Sequence, residues 1–505
     1  MRRQYTKLSA ALVASLVALH EHLLLKPTFR IAVAFALGQK YIAFTVHLVL
    51  TVVLARLLTP QETGVFSLAA AAISIGNLMR EFGTSDYVIS QKDVSQQKLR
   101  AAFTVTVVSA WAIALLLFFL AEPMAAMYRE PGVARVMRLL CLNFLLLPFG
   151  SMAFAMLSKE MQFHRIFVAQ TSATVVSAGV TVWTAWAGYG YMSLAIGSVV
   201  ANAWSILMLV VMRHGHVFLL PTTKGLGEVL RFGGTVTVTR VIDQAASRSS
   251  DFIVSAMLGF HAGGLLSKAN SLIGSFHEFF NSAVLRVATP AFAKSAQEEG
   301  DSPERYFQAT VLVASAQWLF FPILGIFAHE IIFILFGKNW LECVPVVQVA
   351  AVGAMLWAPF MLSTALLTAR GAVAEQLRIQ LINAPLLVAA IFVGAQFNLV
   401  VIAVLCNLTI PVRLFLVNRA LRARCGIQLY ETLRRLRTSM CVGGVGIVCG
   451  ALARWALLHF GAPAFVTLAV GGAVMVGGWL VAAGWLNHPL FAEAIRFKNH
   501  VLARG

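Results

Sequence analysis

Apolar runs of about twenty residues recur from Ile31 almost to the C-terminus, separated by short polar gaps. About twenty helical residues, at 1.5 Å each, cross the ~30 Å hydrocarbon core of a bilayer. The pattern therefore predicts an all-α polytopic membrane protein with about fourteen transmembrane helices. The expected spans are 31–55, 64–83, 100–121, 136–157, 166–187, 191–212, 234–256, 262–285, 308–328, 344–367, 378–397, 399–418, 439–458 and 464–486.

The gaps carry topological information. Numbered alternately, one set holds Arg2, Arg3, Lys7, Lys26, Lys92, Lys98, Arg100, Lys159, Arg165, Arg213, Lys224, Arg231, Lys294, Arg305, Arg370, Arg378 and the cluster from Arg419 to Arg437. The other holds little beyond Arg56, Arg129, Arg135, Arg138 and Lys338. Lys and Arg stay cytoplasmic during insertion, so both termini are expected inside and the span number is expected to be even. The longest gaps, 286–306 and 419–438, leave no room for a soluble catalytic domain.

A repeat divides the spans. ARLLTPQETGVFSLA (55–69) aligns without gaps on SAMLGFHAGGLLSKA (255–269), so Gly64 and Gly264 stand 200 positions apart. Each glycine follows a tight turn and opens a helix, where it permits close backbone approach. A second pair, LPFGSMAFAMLSK (147–159) and APFMLSTALLTAR (358–370), matches Pro148 to Pro359 and Lys159 to Arg370.

The expected architecture is two pseudo-symmetric six-helix bundles plus two C-terminal helices, a duplication that in transporters places substrate between the halves. Its parts are a cytoplasmic N-terminal extension (1–30), a first bundle (31–213), a cytoplasmic linker (214–233), a second bundle (234–418), a basic linker (419–438), two extra helices (439–486) and a cytoplasmic tail (487–505). The first 26 residues have a basic start and a short apolar stretch without a convincing cleavage site. They read as an uncleaved extension.

Composition agrees with the pattern. Of 505 residues, 59% are hydrophobic and 12% charged, against about 25% charged in soluble domains. The formal charge of +18 is spread over short loops and forms no continuous patch, which favours anionic lipid headgroups over nucleic acid. The six cysteines lack metal spacing and read as packing residues. No phosphate-binding loop occurs, Asn407-Leu-Thr409 falls inside a span, GGVGIVCG (443–450) reads as a helix-packing run, and His329-Glu330 lacks a zinc partner. No catalytic residue, metal or cofactor is expected.

Ionisable groups inside a bilayer are costly and usually face a bundle interior or a hydrated cavity. The seventh span, TVTVTRVIDQAASRSSDFIVSAML, concentrates them. At 100° per residue Arg240, Asp243, Gln244, Ser247 and Asp251 fall on one stripe, with Ile242, Ala245 and Phe252 outside it. Lys40, His47 and Thr51 repeat the stripe 200 positions earlier. Candidate substrate-binding cations are Lys40, Arg240, Arg248 and Lys268, and candidates for ion coupling or structural pairing are Asp243, Asp251 and Glu278. Arg80, Glu81 and Arg286 either extend that lining or reach the interface. For Arg240 with Asp243 two readings stand, a structural ion pair and a seat for an anionic substrate or coupling ion.

The stretches LARLLTPQETGVFSLA, EFGTSDYVISQKD, LLPFGSMAFAMLSKEMQFHRI and SRSSDFIVSAMLG resemble the polysaccharide transporter branch of the multidrug/oligosaccharidyl-lipid/polysaccharide flippase superfamily. The likeness runs from Leu37 to about Arg424. It implies alternating access in a bacterial inner-membrane carrier, and an undecaprenyl-diphosphate-linked oligosaccharide destined for exopolysaccharide, capsule or O-antigen. It also implies action beside a polymerase and export machinery, and the chain is expected to be monomeric. The family's Leu-Thr-Pro and its closing Asp map onto Leu58, Thr59, Pro60 and Asp251, whereas the second copy has Gly259-Phe260 in place of Thr59-Pro60. Drug or cation efflux and a membrane polysaccharide polymerase remain open beside this reading.

Overall fold

The computed structural model describes residues 27–81, 84, 88, 95–160, 162–212, 221–222, 226–295 and 303–489. Among them the chain is helical and has no strand, so the all-α polytopic fold expected from the apolar pattern is observed. The helices are α1 Pro27–Leu57, α2 Pro60–Glu81, α3 Gln96–Tyr128, α4 Pro131–Lys159, α5 Phe163–Trp186, α6 Met192–Met212, α7 Leu226–Met257, α8 Gly259–Ser295 and α9 Glu304–Ile326. Then follow α10 Ala328–Leu335, a 3-10 segment Lys338–Cys343, α11 Val344–Trp357, α12 Ser363–Ala369, α13 Val373–Gly394, α14 Leu399–Leu408, α15 Ile410–Cys425, α16 Leu429–His459 and α17 Ala464–Trp485. Residues 1–26 of the expected N-terminal extension and most of the expected tail lie outside the described residues, while 27–30 already belong to α1.

Among the described residues, 12 helical stretches are long and apolar enough to cross a membrane. The two further expected spans fall on α7 and α8, which have 32 and 37 residues. Both are long enough to cross, but their charged and small polar side chains keep them below the apolarity of the rest. The expected tenth span is broken: α11, a short 3-10 turn at Ala358–Phe360 and α12 follow one another along it. Pro359 opens that turn, because its ring removes a backbone donor and disfavours a continuous helix.

The chain forms two compact units. The first comprises Met1–Leu58 with Ala69–Val241, and the second Thr59–Leu68 with Ile242–Gly505. In the first, α1 packs on α5, α3 on α4, and α6 on both α4 and α5. The α5 and α6 backbones approach closely, since a Cβ on Gly197 would lie 1.8 Å from Thr181 Oγ1. Ser177 Oγ donates to the Gly197 carbonyl there at 2.9 Å.

In the second unit α9 packs on α11 and α16, α13 on α14, and α16 on α17. The glycine run 443–450 behaves as its spacing predicts. Gly443 meets Trp318 on α9, while Gly446 and Gly450 meet Trp479 and Met475 on α17. Small residues at these positions let helices approach where no hydrophobic driving force operates. Asn407, in the apparent sequon, donates to the Val349 carbonyl at 2.6 Å. All six cysteines are free, and Cys449 packs against Gly478.

The two added helices are tied down by charge. Glu330, 1% exposed on α10, accepts a forked pair of bonds from Arg454 on α16, with Nε and Nη2 at 3.0 and 2.9 Å from Oε1. His488, just beyond α17, is buried with Nε2 3.0 Å from Ser315 Oγ and 2.8 Å from Ser439 Oγ. Removing one partner of a buried ion pair strands the other charge at a cost of about 3–5 kcal/mol, whereas apolar replacement of both is often neutral. Glu330→Ala is accordingly expected to lower the thermal unfolding midpoint of the detergent-solubilised protein sharply, and Glu330→Leu with Arg454→Leu to recover most of it. Equal losses in the single and double variants would contradict the pairing.

Candidate functional site

The two copies of the repeat build their turns differently. In the first, Thr59 and Glu62 form a reciprocal capping box. Thr59 N donates to Glu62 Oε2 at 2.8 Å, and Glu62 N to Thr59 Oγ1 at 3.3 Å. Pro60 occupies the first helical position, where its missing donor is harmless. In the second copy Gly259 takes φ +84°, a left-handed conformation that glycine adopts without a Cβ penalty. The departure at Gly259-Phe260 is thus a second route to the same sharp turn.

Both turns deliver their helices to one another inside the second unit. A Cβ on Gly64 would fall 1.9 Å from the Phe260 carbonyl oxygen, and one on Gly264 1.8 Å from the Pro60 carbonyl oxygen. One turn further on, Ser67 Oγ donates to Ser267 Oγ at 2.5 Å, again 200 positions apart. The contact is reciprocal: equivalent residues of the two copies touch equivalent residues.

The polar stripe of α7 is next in sequence. Asp251 is 6% exposed, and Arg248 Nη1 lies 3.6 Å from its Oδ2. The Arg248 side chain is 47% exposed, so its guanidinium has donors to spare beyond the carboxylate. Arg240 and Asp243 are on α7, but their side chains lie outside the described residues, as do those of Glu81 and Arg286. Lys40 is half-buried on α1 in the first unit, and Glu278 is exposed on α8.

Lys268, 8% exposed on α8, has an aromatic setting that sequence reasoning missed. Its Nζ stands 4.7 Å from the Phe336 ring centroid and 5.0 Å from that of Trp340. Cation–π contacts of this kind are worth about 2 kcal/mol when desolvated. Phe336 follows α10 directly and Trp340 lies in the 3-10 segment Lys338–Cys343. That segment is held on its exposed side by His261 Nε2, 3.0 Å from Glu342 Oε2. Lys268 thus presents fixed positive charge from within an aromatic pocket, while Arg248 presents mobile donors. Among the described residues no cluster of side chains suited to a metal ion occurs.

The sequence profile of the polysaccharide biosynthesis protein family matches residues 53–345. The chain is 23% identical over 354 residues to the lipopolysaccharide biosynthesis protein WzxC of Escherichia coli (strain K12), covering 69% of this chain and 71% of that one. To the succinoglycan biosynthesis transport protein ExoT of Rhizobium meliloti (strain 1021) it is 24% identical over 332 residues, covering 65% and 66% respectively. Its fold is similar to that of the lipid II flippase MurJ in an inward closed conformation, with TM-score 0.72 and 12% identity over 91% of this chain and 99% of the other.

An added methyl group at the glycine contact forces backbone to move, and overpacking of this kind costs about 1–3 kcal/mol. Gly64→Ala and Gly264→Ala are each expected to lower the unfolding midpoint. Gly274→Ala on α8, where a Cβ meets nothing within 4 Å, serves as the control and leaves the midpoint unchanged or raised. A Gly64→Ala variant as stable as the control would contradict the close approach.

Proposed function

Since this multi-pass membrane chain belongs to the polysaccharide biosynthesis protein family, we propose that it carries an undecaprenyl-diphosphate-linked oligosaccharide from the cytoplasmic to the periplasmic leaflet of a bacterial inner membrane. The glycan then feeds exopolysaccharide, capsule or O-antigen assembly. The observation that carries this reading is the half-exposed Arg248 guanidinium on a membrane-length helix, backed by the buried Asp251 carboxylate. A diphosphate brings about two negative charges into a low-dielectric region. Charge-assisted hydrogen bonds from guanidinium replace part of its lost hydration.

Lys40 and Arg240, matched in the repeat, add cations along the route, and Lys268 adds charge from its aromatic pocket. Asp243, Asp251 and Glu278 serve ion coupling or pair with these cations. Against a membrane potential negative inside, moving two negative charges outward gains about 4–5 kcal/mol per 100 mV. Transport then proceeds without a covalent step and without nucleotide hydrolysis.

The reciprocal glycine contact supports alternating access. With both termini cytoplasmic, Gly64 and Gly264 lie toward the periplasmic side. Their contact closes that side in one state and parts in the other. In a variant with the six native cysteines replaced, Ser67→Cys with Ser267→Cys is expected to cross-link on oxidation and stop polymer export. Reductant restores it. Cells so blocked accumulate lipid-linked oligosaccharide in the cytoplasmic leaflet. Full export by the cross-linked protein would contradict the cycle.

A further inference from the structure

One face of α7 carries Ile242, Ala245 and Ala246, and within the second unit it forms one wall of a groove whose opposite wall is α13. Ile242, Ala245 and Ala246 line one side, and Leu381, Val388 and Phe392 the other, around a volume of about 570 Å³. The groove follows α13 from Leu381 to Phe392, about 16 Å at 1.5 Å per residue. Pro385 is among its lining residues, and there α13 loses a helical hydrogen bond.

Two features define the occupant. The walls are hydrocarbon side chains, and α13 is among the helices long and apolar enough to cross a membrane, so a polar ligand entering the groove would lose hydration and find no partner. A lipid chain loses nothing, and gains packing. Arg248 follows Ala245 by three positions on α7, placing its guanidinium on the neighbouring row about one turn away. It precedes the end of α7 at Met257 by nine residues, about 14 Å of helix. A resident phospholipid keeps its headgroup at the interface, roughly 15 Å from the centre of a ~30 Å core. An exposed cation at the depth of Arg248 suits an anionic headgroup in passage instead.

Resting on the transport reading above, we propose that the α7–α13 groove holds the isoprenoid segment next to the diphosphate of the cargo lipid while the diphosphate meets Arg248. The groove acts as a chain-reading subsite of the carrier. It selects a long polyisoprenyl diphosphate over a free or short-chain one, because the chain must lie along α13 for the head to reach Arg248.

The test uses the full-length protein in vesicles of phosphatidylethanolamine and phosphatidylglycerol. Two probes carry the same fluorescent oligosaccharide diphosphate, one on undecaprenol and one on a single isoprene unit. Ala245→Trp and Val388→Trp each fill the groove, and the yield of the Ser67→Cys, Ser267→Cys cross-link in each background reports that the fold is retained. The expected result is that the wild-type protein moves the undecaprenyl probe at least ten-fold faster than the short one, and that each variant slows the undecaprenyl probe toward the short probe's rate, which itself stays unchanged. Equal rates for the undecaprenyl probe in variants and wild type would overturn the subsite. So would an equal fall for both probes, which would make the groove purely structural. Failure of the wild-type protein to move either probe would contradict the transport reading, and the subsite with it.

Discussion

The structure depends on two glycines that have no room for a side chain. Gly64 and Gly264 each set their backbone against a carbonyl oxygen of the other copy's turn, so any Cβ would fall under 2 Å from it. This constraint explains why the turns before them are so tightly specified, one by a capping box at Thr59 and Glu62, the other by the left-handed Gly259. It also explains why Thr59–Leu68, by sequence part of the first repeat, belongs to the second compact unit. A contact resting on backbone proximity and one hydroxyl pair is specific in geometry yet modest in energy, since a neutral hydrogen bond contributes about 1 kcal/mol net. Such a contact can be made and broken in a working cycle.

Much of this was legible in the chain. The apolar runs located the helices, and the ungapped match between the two turns singled out Gly64 and Gly264 as points of close backbone approach, while the structure shows that they approach each other. Helical spacing put Asp251 on the polar stripe of α7 and named Arg248 as a candidate cation, but their pairing came from the structure. What escaped was the setting of charges by residues far along the chain. Phe336 and Trp340 surround Lys268 from the gap expected between 328 and 344, which folds as a short helix and a 3-10 turn that no periodicity announces. Glu330 stood out in sequence only beside His329, and its partner, Arg454, stands 124 positions away on a helix outside the repeat. His488, at the start of the expected tail, reaches Ser315 on α9 and Ser439 on α16, 173 and 49 positions away.

These settings sort charged groups that look alike in sequence. Glu330 and Arg454 satisfy one another and anchor the added helices, and Lys268 is spent on two rings. Arg248 differs in keeping half its surface open while its carboxylate partner is buried. In a medium where an unpaired charge is expensive, an arginine that is neutralised but not enclosed is the arrangement best able to accept an additional anion and release it again.

The most direct test of the account is transbilayer movement in purified vesicles. An undecaprenyl-diphosphate oligosaccharide bearing a fluorophore is placed in one leaflet, and its appearance in the other is followed with a membrane-impermeant quencher. The account predicts movement that requires the protein, speeds up when the receiving side is made electrically positive, and falls at least ten-fold in Arg248→Ala. Movement at the protein-free rate, or an Arg248→Ala variant as fast as wild type, would contradict it.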